Sequence, residues 1–209
     1  MNIEELKDPL LYIKNNLWIT IKADDAGISK LVPMVPYPAQ EDYIRKRTHR
    51  DVVVKARQIR FSTGVLASNS HKAFTIPYTK MSLITHLSDA SEFLLQTVHN
   101  FYKFLPPPKP KVDWSSGERI RFPDMGTLIH IASASSRTIG RSENLNIAHL
   151  SEVAFWYEMK ARELFAGISQ TVPKGGFITI ESTPNGRGGF LYDFYQAVKR
   201  GDDPGYTCF

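Results

Sequence analysis

Three consecutive valines, Val52 to Val54, stand between Asp51 and Lys55-Ala56. Their β-branched side chains favour extended backbone. The run is β-branched and apolar, so it reads as a buried strand. A polar turn follows, and residues 62–75 read as a helix. The same alternation recurs along the chain. "KMSLITHL" (80–87) is a strand, and "SDASEFLLQTVHNFYKFL" (88–105) a helix with Ser88 as N-cap and Glu92 early. "ERIRFPDMGTLIHIAS" (118–133) is a hairpin turning at Pro123 to Gly126. "NLNIAHLSE" is a strand, "EMKARELFAGISQTV" a helix, "GGFITIES" a strand and "GFLYDFYQAVKR" a helix. Upstream, the prolines of "LVPMVPYPAQEDYIRKRTHR" forbid regular helix as far as Pro38, and "AQEDYIRKR" then forms a short one. The first residues mix helix-like and extended patterns. Strands alternating with helices imply an α/β fold with a mostly parallel central sheet flanked by helices. Ligands of such sheets bind outside the carboxyl ends of the strands.

At 209 residues the chain suits one domain with a sizeable core. Hydrophobic residues at 42% and charged residues at 22% describe a globular chain. No apolar run approaches the roughly 20 residues that span a bilayer. "MNIEELKDPLLYIKNN" carries acids where a signal peptide carries bases, so a cytoplasmic protein is expected. The single cysteine, Cys208, excludes an internal disulfide and a cysteine-based zinc site. A formal charge of +5 mildly favours a polyanionic partner.

Three strand tips carry candidate chemistry. After the valines comes "ARQIRFST". A turn between strand and helix aims backbone N–H groups at a phosphate, and the helix dipole adds to them. Ser62 supplies a hydroxyl suited to Mg2+, with Thr63 beside it. Arg60 and Phe61 stand where a phosphate loop normally has glycine and lysine, so Lys55, Arg57 and Arg60 are the remaining cations. Arg60 costs about 1 kcal/mol if its backbone needs positive φ. The same stretch also reads as a plain turn with solvated arginines. The second tip, "NIAHLSEVAFW", ends in Ser151-Glu152 where many ATPases have Asp-Glu. Glu152 can orient an attacking water, or simply cap the next helix. The third, "TIESTPNGRGGF", runs into Ser182 and Thr183, whose hydroxyls can sense a terminal phosphate. Pro184, Asn185 and Gly186 also encode a turn unaided.

Other features have milder readings. Arg45, Lys46, Arg47 and Arg50 form a basic group that contacts DNA or a neighbouring subunit, or is a solvated helix face. "FLPPPKPKVDW" is a stiff basic loop with the same two options. Arg137 or Arg141 could serve a neighbour's nucleotide in a ring. His149 is expected as a hydrogen-bonded core residue, and Phe155, Trp156 and Tyr157 as packing. The histidines have no metal-site spacing, and Asp24-Asp25 and Asp202-Asp203 are isolated pairs in polar loops.

"YPAQEDYI", "VVVKARQIRFST", "NLNIAHLSEVAFW" and "ESTPNGRGG", in this order, resemble the ATPase domain of the large terminase subunit of tailed bacteriophages. The likeness spans roughly residues 30 to 205. It implies a P-loop NTPase of the additional-strand, catalytic-glutamate (ASCE) type: a single ATPase domain over 1–209, with a lead-in segment at 1–30 and the core at 31–205. By that resemblance Gln40 recognises adenine. Lys55, Arg57, Gln58, Arg60, Ser62 and Thr63 belong to a deviant Walker A loop, with Arg57 as its phosphate-contacting arginine. Ser62 holds Mg2+, Ser151 replaces the Walker B aspartate and reaches the metal through water, and Glu152 is the catalytic carboxylate. Ser182, Thr183, Pro184, Asn185 and Gly186 form the coupling motif, and Arg45, Lys46, Arg47 and Arg141 contact DNA or a subunit. Glu181, just before that motif, could partly replace the missing aspartate. The implied substrate is ATP. The implied partners are double-stranded DNA, a portal protein, a small terminase subunit and a C-terminal nuclease domain absent from this chain. The resemblance implies a ring on the prohead, a monomer in isolation, no membrane, and the host cytoplasm as location. A nucleotide-binding or DNA-binding assembly module with little hydrolysis is the alternative.

Overall fold

The computed structural model describes residues 3–22, 28–57, 59–116, 118–134 and 144–209. Asp24, Asp25, Gln58, Arg137 and Arg141, singled out above, lie outside these. The chain opens with helices α1 (Ile3–Lys7) and α2 (Pro9–Asn16) and an antiparallel hairpin of β1 (Trp18–Lys22) and β2 (Ser29–Pro33). Asp8 caps α2 by accepting from the Leu10 and Leu11 amides. Helix α3 (Pro38–Lys46) leads to β3 (Arg50–Val54), which carries the valines. Then follow α4 (Phe61–Thr75), β4 (Lys80–Thr85), α5 (Ser88–Lys103), β5 (Asp113–Ser116), β6 (Arg119–Phe122), β7 (Thr127–Ser133) and β8 (Ile147–Ser151). A short 3-10 turn, α6 (Glu158–Thr171), β9 (Phe177–Ser182), α7 (Phe190–Arg200) and β10 (Thr207–Cys208) complete the chain.

Among the described residues eight strands form the main sheet, in the order β10-β3-β9-β8-β4-β7-β6-β5. The pairs from β10 through β7 are parallel, and β6 and β5 add an antiparallel edge. Strand β9 sits between β3 and β8, so the three tips flagged in the sequence stand side by side. Val53 is buried in the cluster on one face, with Val65, Leu66 and Phe101. Val52 is buried in the cluster on the other, with Leu164, Ile168 and Ile180. An all-apolar strand thus serves two cores at once. Helix α4 is buried nearly all round, from Gly64 through His71 without a break, because α2, α3, α5 and the sheet enclose it.

Some expectations shift. The hairpin of β1 and β2 was not legible as a paired unit. Ser88 is the first residue of α5, and Leu87 occupies the cap position. The proline-rich loop is tied down: Tyr102 Oη donates to the Pro110 carbonyl at 2.6 Å, and Lys109 Nζ to the last carbonyls of α5, Tyr102 and Lys103, at 3.1 Å. Trp156 is buried, its Nε1 donating to Ser151 O, whereas Tyr157 is 76% exposed. His149 is fully buried and hydrogen-bonded.

Candidate nucleotide site at the strand tips

The turn from β3 into α4 begins with Lys55, whose amide still pairs with Ser182 O of β9. Arg60 lies at φ 51° and ψ 28°, the left-handed conformation in which the loop enters α4. Glycine's usual place in such loops has the same origin, and an arginine there carries strain. Phe61 turns inward: it is buried, with its ring 5.1 Å from that of Tyr43. The position where many loops carry lysine is therefore a core position here, and no cation fits it.

A buried cation stands instead at the strand end. Lys55 Nζ lies 2.7 Å from Ser62 Oγ, 2.8 Å from Glu152 Oε1 and 2.7 Å from Glu181 Oε2, and its side chain is only 8% exposed. Burial alone would lower the lysine's pKa. Glu181 and Glu152 outweigh that effect and leave it raised. Glu181 is fully enclosed. Its Oε1 accepts from Ser151 Oγ at 2.6 Å and from His149 Nε2 at 3.3 Å. Burial alone would raise its pKa, but the His149 hydrogen bond and the Lys55 charge hold it at about 2. Glu152, directly after β8, is also left-handed, at φ 57°. Its Oε2 accepts from Ser182 Oγ, Thr183 N and Thr183 Oγ1, each at 3.2 Å. Asn185 Nδ2 donates to Ala154 O at 3.1 Å, tying the third tip to the turn after Glu152.

Of these groups, Lys55, Ser62, Ser151 and Glu152 line a cavity of about 870 Å3. Its polar end is Lys55, Ser62, Thr63, Ser151 and Glu152. Ile19 and Ile21 of the hairpin and Phe93 and Leu94 of α5 line it elsewhere. No local pattern announced these apolar walls, because they come from segments far apart in sequence.

Other flagged residues lie apart. Arg57 is exposed and is not among the residues around the cavity, whereas Arg60 and Ile59 are. Gln40 is 3% exposed and both ends of its amide bond to protein: Oε1 accepts from Tyr37 N, and Nε2 donates to Arg60 O at 2.6 Å. It shapes the loop from behind, against Gly64, where an added Cβ would stand 2.9 Å from Gln40 Cγ. The basic group near α3 is split. Lys46 is exposed and pairs with Asp42, and Arg45 is exposed. Arg47 turns inward to Ser68 and Asn69, and Arg50 to Val172 O and Tyr206. Arg47's guanidinium also lies over the Tyr43 and Phe177 rings, which is why it is not a free surface charge.

For Mg2+, the described residues contain no group of three or more His, Cys, Asp or Glu able to hold a metal. Ser62 Oγ and Ser151 Oγ at the cavity's polar end are oxygen donors of the kind a hard cation takes. They suit an ion that keeps several waters and binds largely through substrate phosphates.

A parallel sheet with a strand inserted between the phosphate-loop strand and the strand bearing the glutamate is the fold of ASCE-type P-loop NTPases. Solved structures narrow it. The HK97 bacteriophage large terminase superposes with a TM-score of 0.71 at 12% identity, over 97% of this chain and 43% of that one. The Thermus phage P74-26 large terminase ATPase domain gives 0.65 at 20% identity, over 84% of this chain and 80% of that one. The large terminase from a thermophilic bacteriophage gives 0.63 at 12% identity, over 84% of this chain and 45% of that one. The chain thus has the fold of phage large terminase ATPase domains. It spans less than half the length of the first and third of these proteins. No protein-family model and no curated protein matches the sequence.

Proposed function

We propose that this chain is an ATP-hydrolysing domain of a phage large terminase, using ATP to drive double-stranded DNA into a prohead. The observation that carries the reading is the meeting of Lys55, Ser62, Glu152 and Thr183 at the tips of three adjacent strands. Lys55 is the cation for the outer phosphates, which deepens the idea that loop cations share the missing lysine's work and gives Lys55 the larger part. The backbone N–H groups at the start of α4 cradle phosphate oxygens. Glu152 orients the water that attacks the terminal phosphorus, and Ser182 and Thr183 hold its carboxylate by the second oxygen. Ser62, and Ser151 through a water, are the residues that would hold Mg2+, which would supply neutralisation of phosphate charge. Loss of the terminal phosphate changes what Glu152 faces, and Thr183 passes that change to the Pro184-Asn185-Gly186 turn. Portal protein, small subunit, nuclease domain and ring neighbours are the partners this reading implies for the larger assembly.

One observation favours a second reading, a nucleotide-binding module with little hydrolysis: Glu152 is ion-paired to Lys55. Phosphate release from ATP and Mg2+, compared between wild type and Glu152→Ala, separates the two. Release that disappears in the variant supports the enzyme. ATP binding without release in either chain supports the module.

A further inference from the structure

We propose that Glu181 is the positioning residue of this site, a fixed buried carboxylate about which the Lys55 side chain turns between its protein partners and a bound phosphate. The inference rests on the functional reading above. Among the described residues Lys55 has three oxygen neighbours, and they are not equivalent. Ser62 and Glu152 belong to the cavity wall, and Glu152 is 24% exposed in its side chain. Glu181 is wholly enclosed and held from behind by His149 and from the side by Ser151. An ammonium on four rotatable bonds loses rotamer entropy when fixed, so its placement needs an anchor. In an ordinary phosphate loop the lysine lies at the loop's far end, beside the helix. This one starts at the strand end, and the anchor has moved with it.

The register shows where the carboxylate went. Ser151 of β8 pairs directly with Glu181 of β9. The strand tip that commonly ends in aspartate carries a serine, and the carboxylate stands one strand over, behind the relocated lysine. A phosphate oxygen entering the cavity can replace Ser62 and Glu152 as partners of Nζ while Glu181 keeps its contact. That exchange frees Ser62 Oγ and Glu152 Oε1 from the ammonium. Glu181 keeps His149 and Ser151 throughout, so it is never left without hydrogen bonds.

The test is a double-mutant cycle on ATP affinity and hydrolysis: wild type, Lys55→Met, Glu181→Gln and the double variant, with melting temperature as the folding check. Glu181→Gln is expected to lower hydrolysis by at least about tenfold, and the double variant to be no worse than Lys55→Met within about twofold. A purely structural role would multiply the two losses. Should Glu181→Gln fail to fold, the exchange Ser151→Asp with Glu181→Ser returns the carboxylate to β8 and is expected to hydrolyse ATP, while Glu181→Ser alone does not. Wild-type behaviour of a folded Glu181→Gln, multiplied losses, or an inactive folded exchange would overturn the proposal and leave the ATPase reading intact. A wild-type chain that neither binds nor hydrolyses ATP would overturn both.

Discussion

Single residues decide the loop's chemistry. Lys55 Nζ touches the loop hydroxyl and both glutamates, whereas Arg57 is exposed outside the cavity. Lys55→Ala is therefore expected to cut ATP hydrolysis by about 100-fold or more, as loss of a charge stabiliser does. Arg57→Ala in the isolated domain should cost much less, and steady-state phosphate release compares them directly. An equal loss in both would return Arg57 to the site. Arg60 makes a separate point about stability. Its left-handed backbone carries a penalty of about 1 kcal/mol or more, only part of which is offset by glycine's extra unfolded-state entropy. Arg60→Gly should raise unfolding stability by up to about 1 kcal/mol in urea, with any fall in ATP affinity reporting the guanidinium's own contribution.

At the scale of elements, α4 and α3 are locked together through Gln40. Its side chain fills the space over Gly64 and ties Arg60's carbonyl to α3. Alanine normally improves a helix interior over glycine by about 1 kcal/mol. Here its Cβ would meet Gln40 Cγ at 2.9 Å, in a side chain anchored at both amide ends. Overpacking costs about 1–3 kcal/mol and wins. Gly64→Ala should be destabilised and bind ATP more weakly, while Gly64→Ala combined with Gln40→Ala recovers stability in thermal melts. Full stability in the single variant would mean that α3 moves freely against α4.

For the molecule as a whole, the buried histidine of α4 sets a pH limit. His71 Nε2 donates to Leu6 O, and the ring packs edge-on to Tyr12 at 4.8 Å between centroids. Burial, and then the Lys72 and Arg47 charges, hold its pKa at about 4, despite opposing effects of the Leu6 hydrogen bond and Asp8. The folded state binds this proton less readily than the unfolded state, whose histidine titrates near 6.5. Stability is therefore complete above about 6.5 and is lost as pH falls towards about 4. Urea midpoints measured from about pH 7 to 4 should fall in wild type and fall less in His71→Gln. Parallel profiles would assign the loss to other groups. On the proposed function, the turn before α4 holds phosphate, so acid loosening here should reach ATP affinity before global unfolding.

The amino-acid sequence by itself determined the α/β alternation, the buried β3 strand and the three strand-tip motifs, because these rest on local periodicity and on residue types adjacent in the chain. It also made the strain at Arg60 and the core place of His149 readable. Tertiary structure alone separates the three loop cations: it sets Lys55 Nζ among Ser62, Glu152 and Glu181 and leaves Arg57 exposed outside the cavity. Lys55, Arg57 and Arg60 are equivalent by composition, and the choice depends on strand direction and on Glu181 arriving from a strand far along the chain. Gln40's inward amide, Arg47's bonds to Ser68 and Asn69 and the cavity's hairpin and α5 walls depend likewise on contacts between distant segments. Such contacts have no local period, so only the folded chain brings them together.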